Sequence, residues 1–394
     1  MIKPTFFLVG AFLGQLFLVL LSQTSGYIVD SNVKARAFHQ SPTKQATAPM
    51  ALKSASPQTS KSVALNPSQY NAARIRRGQQ FFQDNMVVIA NSWALIIVVG
   101  FADTEMASAL LSTKATNTAE KAQQRYMRTF RDMLYWHTQD LFDPSSPAVR
   151  QLRAVKSMHH RAAASIAAKA DTKSSKCPFS AAARNLVKLT CPHTGAKGSN
   201  KAEFIQSVMA RTQASFVAMV VTNPKRLGIH DQRGLEDFVF LWWALGKELG
   251  IEDKYNVCSS LATAKKFVAD EYTTNIAPAL TALARHPTQN FETLANAYWD
   301  GIDLTPANNF KAFTGHSPRQ ALWTVAHFFP GGVEKEFRLA PLEHAKTIIE
   351  MDSVRRFGRM PASARRLLNR SAIAPFLKHV THRRGAINTK QKVV

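Results

Sequence analysis

Wherever apolar residues recur in this chain, they do so almost always at intervals of three and four. That spacing gathers them on one face of an α-helix. Alternating apolar and polar runs are scarce, and no Asn-Gly or Asp-Gly pair stands between two such runs to close a hairpin. Helices are expected over Thr118–Gln139, with Thr118 as cap, and over Ala148–Ala168, Ala202–Val221, Gly234–Leu249 and Ser259–Asp270. Others are expected over Ile276–Ala284, Phe291–Trp299, Ser317–Phe329, Leu342–Met351 and Ala362–Leu368. Met86–Ala102 is apolar nearly all round and reads as a fully buried core helix, the alternative being a marginal membrane span. The connections are short. The pattern predicts an all-α fold, a single large bundle of about ten helices.

The chain has 394 residues, of which 45% are hydrophobic, enough for a sizeable core. Three cysteines (Cys177, Cys191, Cys258) exclude a disulfide framework and allow at most one bridge. The net charge of +24 suggests a polyanion partner at first sight. Its distribution says otherwise. From Ser31 to Gln83 there are eight Lys/Arg and no acid, and from Ser353 to Val394 eleven and no acid. The stretch between, Asp84–Asp352, is nearly balanced, with 30 basic and 25 acidic residues. The excess belongs to the two ends.

Lys3, the apolar run Phe6–Leu21 and the small polar exit Ser22–Gly26 have the three parts of a secretory signal. Residues 1–26 are therefore expected to be a signal peptide or signal anchor, 27–68 a disordered basic linker, 69–352 the helical domain and 353–394 a basic tail. The expected location is the secretory pathway, the endoplasmic reticulum or outside the cell. The alternative is an organelle reached by a two-part signal, with Ala35–Phe38 opening the second part. Such a location permits a Cys177–Cys191 bridge within the irregular loop Ala170–Lys201. Asn369-Arg370-Ser371 is the one usable glycosylation triplet.

There is no P-loop, no strand-borne GxGxxG, no HExxH, no GxSxG and no paired CxxC. One constellation remains. Arg125, Arg128 and Thr129 share a helix face, and His159 and His160 lie on the next helix. Arg128 and His159 are equidistant from the Asp143–Pro147 turn, so in an antiparallel hairpin they stand at the same level and can face each other across a cavity. His159 and His160 point about 100° apart, so only one can face inward. A cation and a hydroxyl opposite an imidazole suit a haem that uses dioxygen. Arginines three apart are commonly a solvated face, and the pattern by itself does not establish haem.

The stretches Arg125–His137 (RYMRTFRDMLYWH) and Val149–Ala163 (VRQLRAVKSMHHRAA) resemble the catalytic-domain family of the latex-clearing rubber oxygenases and the ER-bound oxygenase of mycophenolic acid synthesis. A second block, Thr212–Ile229 followed by Leu235–Asn256, is similar to the family's eukaryotic members. The resemblance spans Ala90–Asn256 clearly and the remaining helices weakly. It implies an all-helical domain enclosing a haem b pocket, with His159 as the axial iron ligand and Arg125, Arg128 and Thr129 as catalytic residues on the distal side. It also implies dioxygen and an apolar, prenyl-like substrate cleaved at a C=C bond. Rubber oxygenases carry Lys at the position of Arg128; an arginine stays protonated, so it can donate a hydrogen bond but cannot act as a base. Trp242–Trp243 and Met86–Ala102 are candidate apolar walls. Two alternatives stand beside this reading. One is a haem-free helical protein of the same fold. The other is a protein acting on an anionic membrane surface through its basic tails, Arg355–Arg384 mixing cations with Leu367, Leu368 and Phe376. A nucleic-acid partner is disfavoured by secretory targeting and by the lack of a recognised module.

Overall fold

A computed structural model describes residues 64–112, 116–171, 201–304 and 317–370. The expected signal, nearly all of the linker, Cys177, Cys191, the interior of the Ala170–Lys201 loop and the tail beyond residue 370 lie outside the described residues. The described residues are helices joined by turns, with no strand among them, and the fold is all-α.

Helix α1 (Ala72–Gly100) runs through the middle of the bundle. Asn71 caps it, its side chain accepting the amide of Arg74. Sequence periodicity places the start of this helix at Met86, because Arg74-Ile75-Arg76-Arg77 breaks the apolar pattern. The helix begins earlier because its basic turn has a partner. The buried carboxylate of Asp237, on α6 (Gln232–Leu249), accepts from Arg74 at 2.8 Å and Arg77 at 2.5 Å. Next to these contacts the two helices come very close: a Cβ on Gly78 would stand 2.4 Å from the Asp237 carbonyl oxygen, so only glycine fits. Further along, the indole N–H of Trp93 donates to the carbonyl of Phe216 at 2.7 Å, tying α1 to α5 (Lys201–Thr222). Trp93, Ile89, Val88 and Val98 are fully buried. Long and apolar enough to cross a membrane, α1 is enclosed here as a core helix.

Asn85 interrupts α1 with non-helical backbone angles (φ −119°, ψ 16°). An unbroken helix would join the Val87 N–H to the Gln83 carbonyl. At the break the side-chain amide of Asn369 lies between them, accepting from Val87 at 3.3 Å and donating to Gln83 at 2.7 Å. Arg365 also donates to the Asn85 side chain.

Helices α2 (Thr104–Ser112), α3 (Ala119–Thr138) and α4 (Pro147–Asp171) follow α1. After α6 come α7 (Leu261–Glu271), a π-turn over Tyr272–Ile276, α8 (Ala277–Arg285) and α9 (Gln289–Asp303). Then come α10 (Pro318–Phe328) and α11 (Pro341–Gly358), with a last helix over 362–370. Ser317 caps α10 in a capping box with Gln320. Folded structure therefore continues past 352, where the sequence placed a basic tail. Gly358 is buried against Leu227 and Gly228, and Asn369 fills the break in α1. Charge counts identify the basic excess there but not the packing that holds it. Asn369 is 1% exposed with both amide atoms engaged, so the folded chain does not offer it for glycosylation.

Candidate functional site

The proposed site sits on the α3–α4 hairpin. Thr118 caps α3 through the Lys121 amide. Asp143 organises the turn by accepting from the Ser145 amide and hydroxyl, each at 2.8 Å, and the Ser146 hydroxyl receives the Val149 amide at the start of α4.

Along α3 the buried stripe is Tyr126, Phe130, Met133 and His137, spaced four, three and four apart. Arg128 is two residues from Tyr126, on the far side of the helix, and is exposed. Arg125 and Thr129 are half-buried, and the Thr129 hydroxyl donates to the Arg125 carbonyl at 3.2 Å within the helix. Equal distance from the turn fixes the height of Arg128 along its axis but not its rotation. The rotation follows the apolar stripe and turns Arg128 to solvent. Among the described residues no hydrogen bond, ion pair or ring contact joins Arg125, Arg128 or Thr129 to His159. The expected face-to-face pairing of Arg128 and His159 is absent. The arginine that α3 buries is Arg131, 6% exposed, whose guanidinium donates to the neighbouring Asp132 carboxylate at 2.7 Å and 3.0 Å.

On α4, His159 continues the inward stripe of Leu152 and Val155, while His160 is exposed. One histidine of the pair faces in and the other does not, within the limit that the 100° offset sets. Burial pushes the His159 imidazole below the usual histidine range. The carbonyl of Leu249 at the end of α6 opposes that shift, and the charge of His160 adds to it. Its Nδ1 is buried, with no hydrogen bond of good geometry beside the Leu249 carbonyl's influence on the ring. A neutral imidazole is the state in which a histidine would hold a haem iron. The donor chemistry of His159 therefore fits a haem iron. The three residues expected opposite do not yet converge on it.

The sequence reading missed His137. It is 0% exposed, enclosed by Phe82, Trp242, Trp93 and Phe238 with ring centroids at 4.4, 5.3, 5.5 and 5.7 Å. Its Nδ1 bonds to the Met133 carbonyl at 2.7 Å, which places the proton there, and Nε2 is buried without a partner. Burial pushes its pKa down to about 4, the Met133 bond opposing. The surrounding rings leave no room beside Nε2 for a macrocycle, so His137 is a core histidine. Its place on the Tyr126–Phe130–Met133 stripe was the available signal. The same cage uses Trp242, and Trp243 stacks on Phe240 at 5.1 Å, so these proposed wall residues take part in core packing. Cys258 is buried, and burial raises its thiol pKa.

Among the described residues no group of three or more His, Cys, Asp or Glu side chains is placed to hold a metal ion. Comparison with protein-family models, with curated proteins and with solved structures finds no match.

Proposed function

We propose that the chain is a haem b-dependent oxygenase that uses dioxygen to cleave a C=C bond of an apolar, prenyl-like substrate, with His159 holding the iron. The observation that carries this reading is the inward-facing imidazole of His159, which burial holds below the usual histidine range. The family resemblance of Arg125–His137 and Val149–Ala163 supports it. Haem, when bound, supplies the activation of dioxygen that no side chain here can provide. The chain's own part is to present a neutral nitrogen from the inward stripe of α4 and to keep that ring desolvated. Arg125 and Thr129, half-buried on α3, are the nearer candidates for donating hydrogen bonds to a reacting oxygen, and Arg128 serves in that role only if its solvent-facing side chain turns inward. The secretory pathway is the proposed location.

The test is an absorption spectrum of the full chain produced with haem supplied. A Soret band is expected to accompany the wild type and His160→Ala and to be lost in His159→Ala. Haem-free wild type, or equal retention by both variants, rejects the reading.

A second reading, contact with an anionic membrane surface, is favoured by a separate observation. Leu342, Ile349 and Leu367 are 82%, 59% and 70% exposed on α11 and the helix after it, among exposed Arg355, Arg356 and Arg359. Apolar side chains set in a basic field suit an interfacial helix. Co-sedimentation with anionic vesicles should fall on Leu342→Ser/Ile349→Ser; unchanged binding rejects it.

A further inference from the structure

Beside α10 lies a shallow depression of about 560 Å³ that is largely open to solvent. Its walls come from α10, from the start of α11 and from the segment joining them. Trp323 and His327 lie four apart on α10, the half-exposed imidazole parallel to the indole at 4.9 Å and 9°. His344, on the first turns of α11, meets the same indole edge-on at 5.1 Å and 87°. Gly331 and Gly332, both with positive φ (111° and 69°), turn the chain sharply after α10. That turn delivers Glu334, Lys335, Phe337 and Arg338 to the rim.

The charges at the rim are unbalanced. Lys335 and Arg338 are exposed, and among the described residues neither is paired with a carboxylate. Glu336 is engaged outside the depression with Arg285 at 3.4 Å. Glu334 is the one acid lining the depression, and its field acts on Arg226, whose guanidinium donates to the His327 carbonyl at 2.6 Å. The result is a half-exposed imidazole backed by the buried Trp323 indole, with two cations and one acid, Glu334, around it, the charge of Glu334 acting also on His327. None of these residues belongs to the proposed haem site on α4.

We infer that this depression binds a small planar organic anion: an aromatic body of one or two rings lying on the exposed face of the His327 imidazole that covers Trp323, with a carboxylate held by Lys335 and Arg338. Aromatic stacking favours the ring and the guanidinium favours the carboxylate, so neither a neutral aromatic nor a small inorganic anion satisfies both. The site is independent of haem and of the oxygenase reading.

The experiment is equilibrium dialysis of the full chain against 2-naphthoate, 2-naphthylmethanol and 2-naphthylmethylammonium, three probes of nearly equal shape and different charge. Saturable 2-naphthoate binding is expected, with the alcohol and the ammonium at least about tenfold weaker. Lys335→Ala/Arg338→Ala changes exposed residues only; it should weaken 2-naphthoate about tenfold and leave the alcohol unchanged. His327→Ala should weaken both the acid and the alcohol. Equal affinity for the three probes, no saturable binding of 2-naphthoate below about 1 mM, or 2-naphthoate affinity indifferent to the double substitution overturns the proposal.

Discussion

The histidine sealed inside the bundle should make the fold acid-sensitive in a measurable way. His137 has an ordinary pKa of 6.5 once unfolded and one of about 4 in its aromatic cage. As pH falls below 6.5, the unfolded chain takes up a proton that the folded chain refuses until about pH 4. Stability from this group is therefore full above its unfolded value and is lost as pH drops through that window. One proton changes stability by about 1.4 kcal/mol per pH unit, so the shift limits the loss to about 3 kcal/mol. Between about pH 8 and about pH 5 it amounts to about 2 kcal/mol. His159 and His327 are also held below their usual range and contribute in the same direction, so the wild type alone does not isolate His137. His137→Leu fills the cage without a titrating group. Urea unfolding of both chains, followed by far-UV circular dichroism at the two pH values, should show the wild type losing about 2 kcal/mol more than the variant. Equal losses in both chains would refute the argument that His137 is folded in its neutral form.

Three other outcomes are expected from urea unfolding. Asn369→Ala should cost about 2–4 kcal/mol, because it strands both the Val87 N–H and the Gln83 carbonyl at the break in α1; a change below 0.5 kcal/mol or so would mean the break heals itself. Gly78→Val should cost about 1–3 kcal/mol or more, since its Cβ collides with backbone of α6 rather than with a movable side chain. Trp93→Phe keeps a ring in the cage but removes the bond to Phe216, and a loss of about 1 kcal/mol or more is expected.

Helix identity was legible because local signals agreed. Thr118 is a cap in the structure as in the sequence, and the 3.6-residue period located nearly every helix from α3 onward. The start of α1 was not legible, because Arg74 and Arg77 look like solvated surface until Asp237, 160 residues away in sequence from Arg77, arrives to meet them. Past 352 the helix over Ala362–Leu368 was legible but its packing was not, because nothing local shows that Asn369 meets two backbone partners at the break beside Asn85. At the candidate site, pattern distinguished His159 from His160 by direction alone. It misjudged Arg128, because a register argument along two axes contains nothing about rotation around them. His137 and Arg131 were overlooked because a polar residue in an apolar stripe looks like an interruption, whereas here one is caged by rings and the other is neutralised by its neighbour Asp132.

Ligand replacement tests most directly whether the His159 imidazole holds a haem iron. His159→Gly removes the imidazole while leaving space for a free one. This variant, supplied with haem, is expected to lack the wild-type Soret band and to regain it on titration with imidazole. A wild-type spectrum in His159→Gly before imidazole is added, or no haem bound by the wild type, would contradict iron ligation by His159.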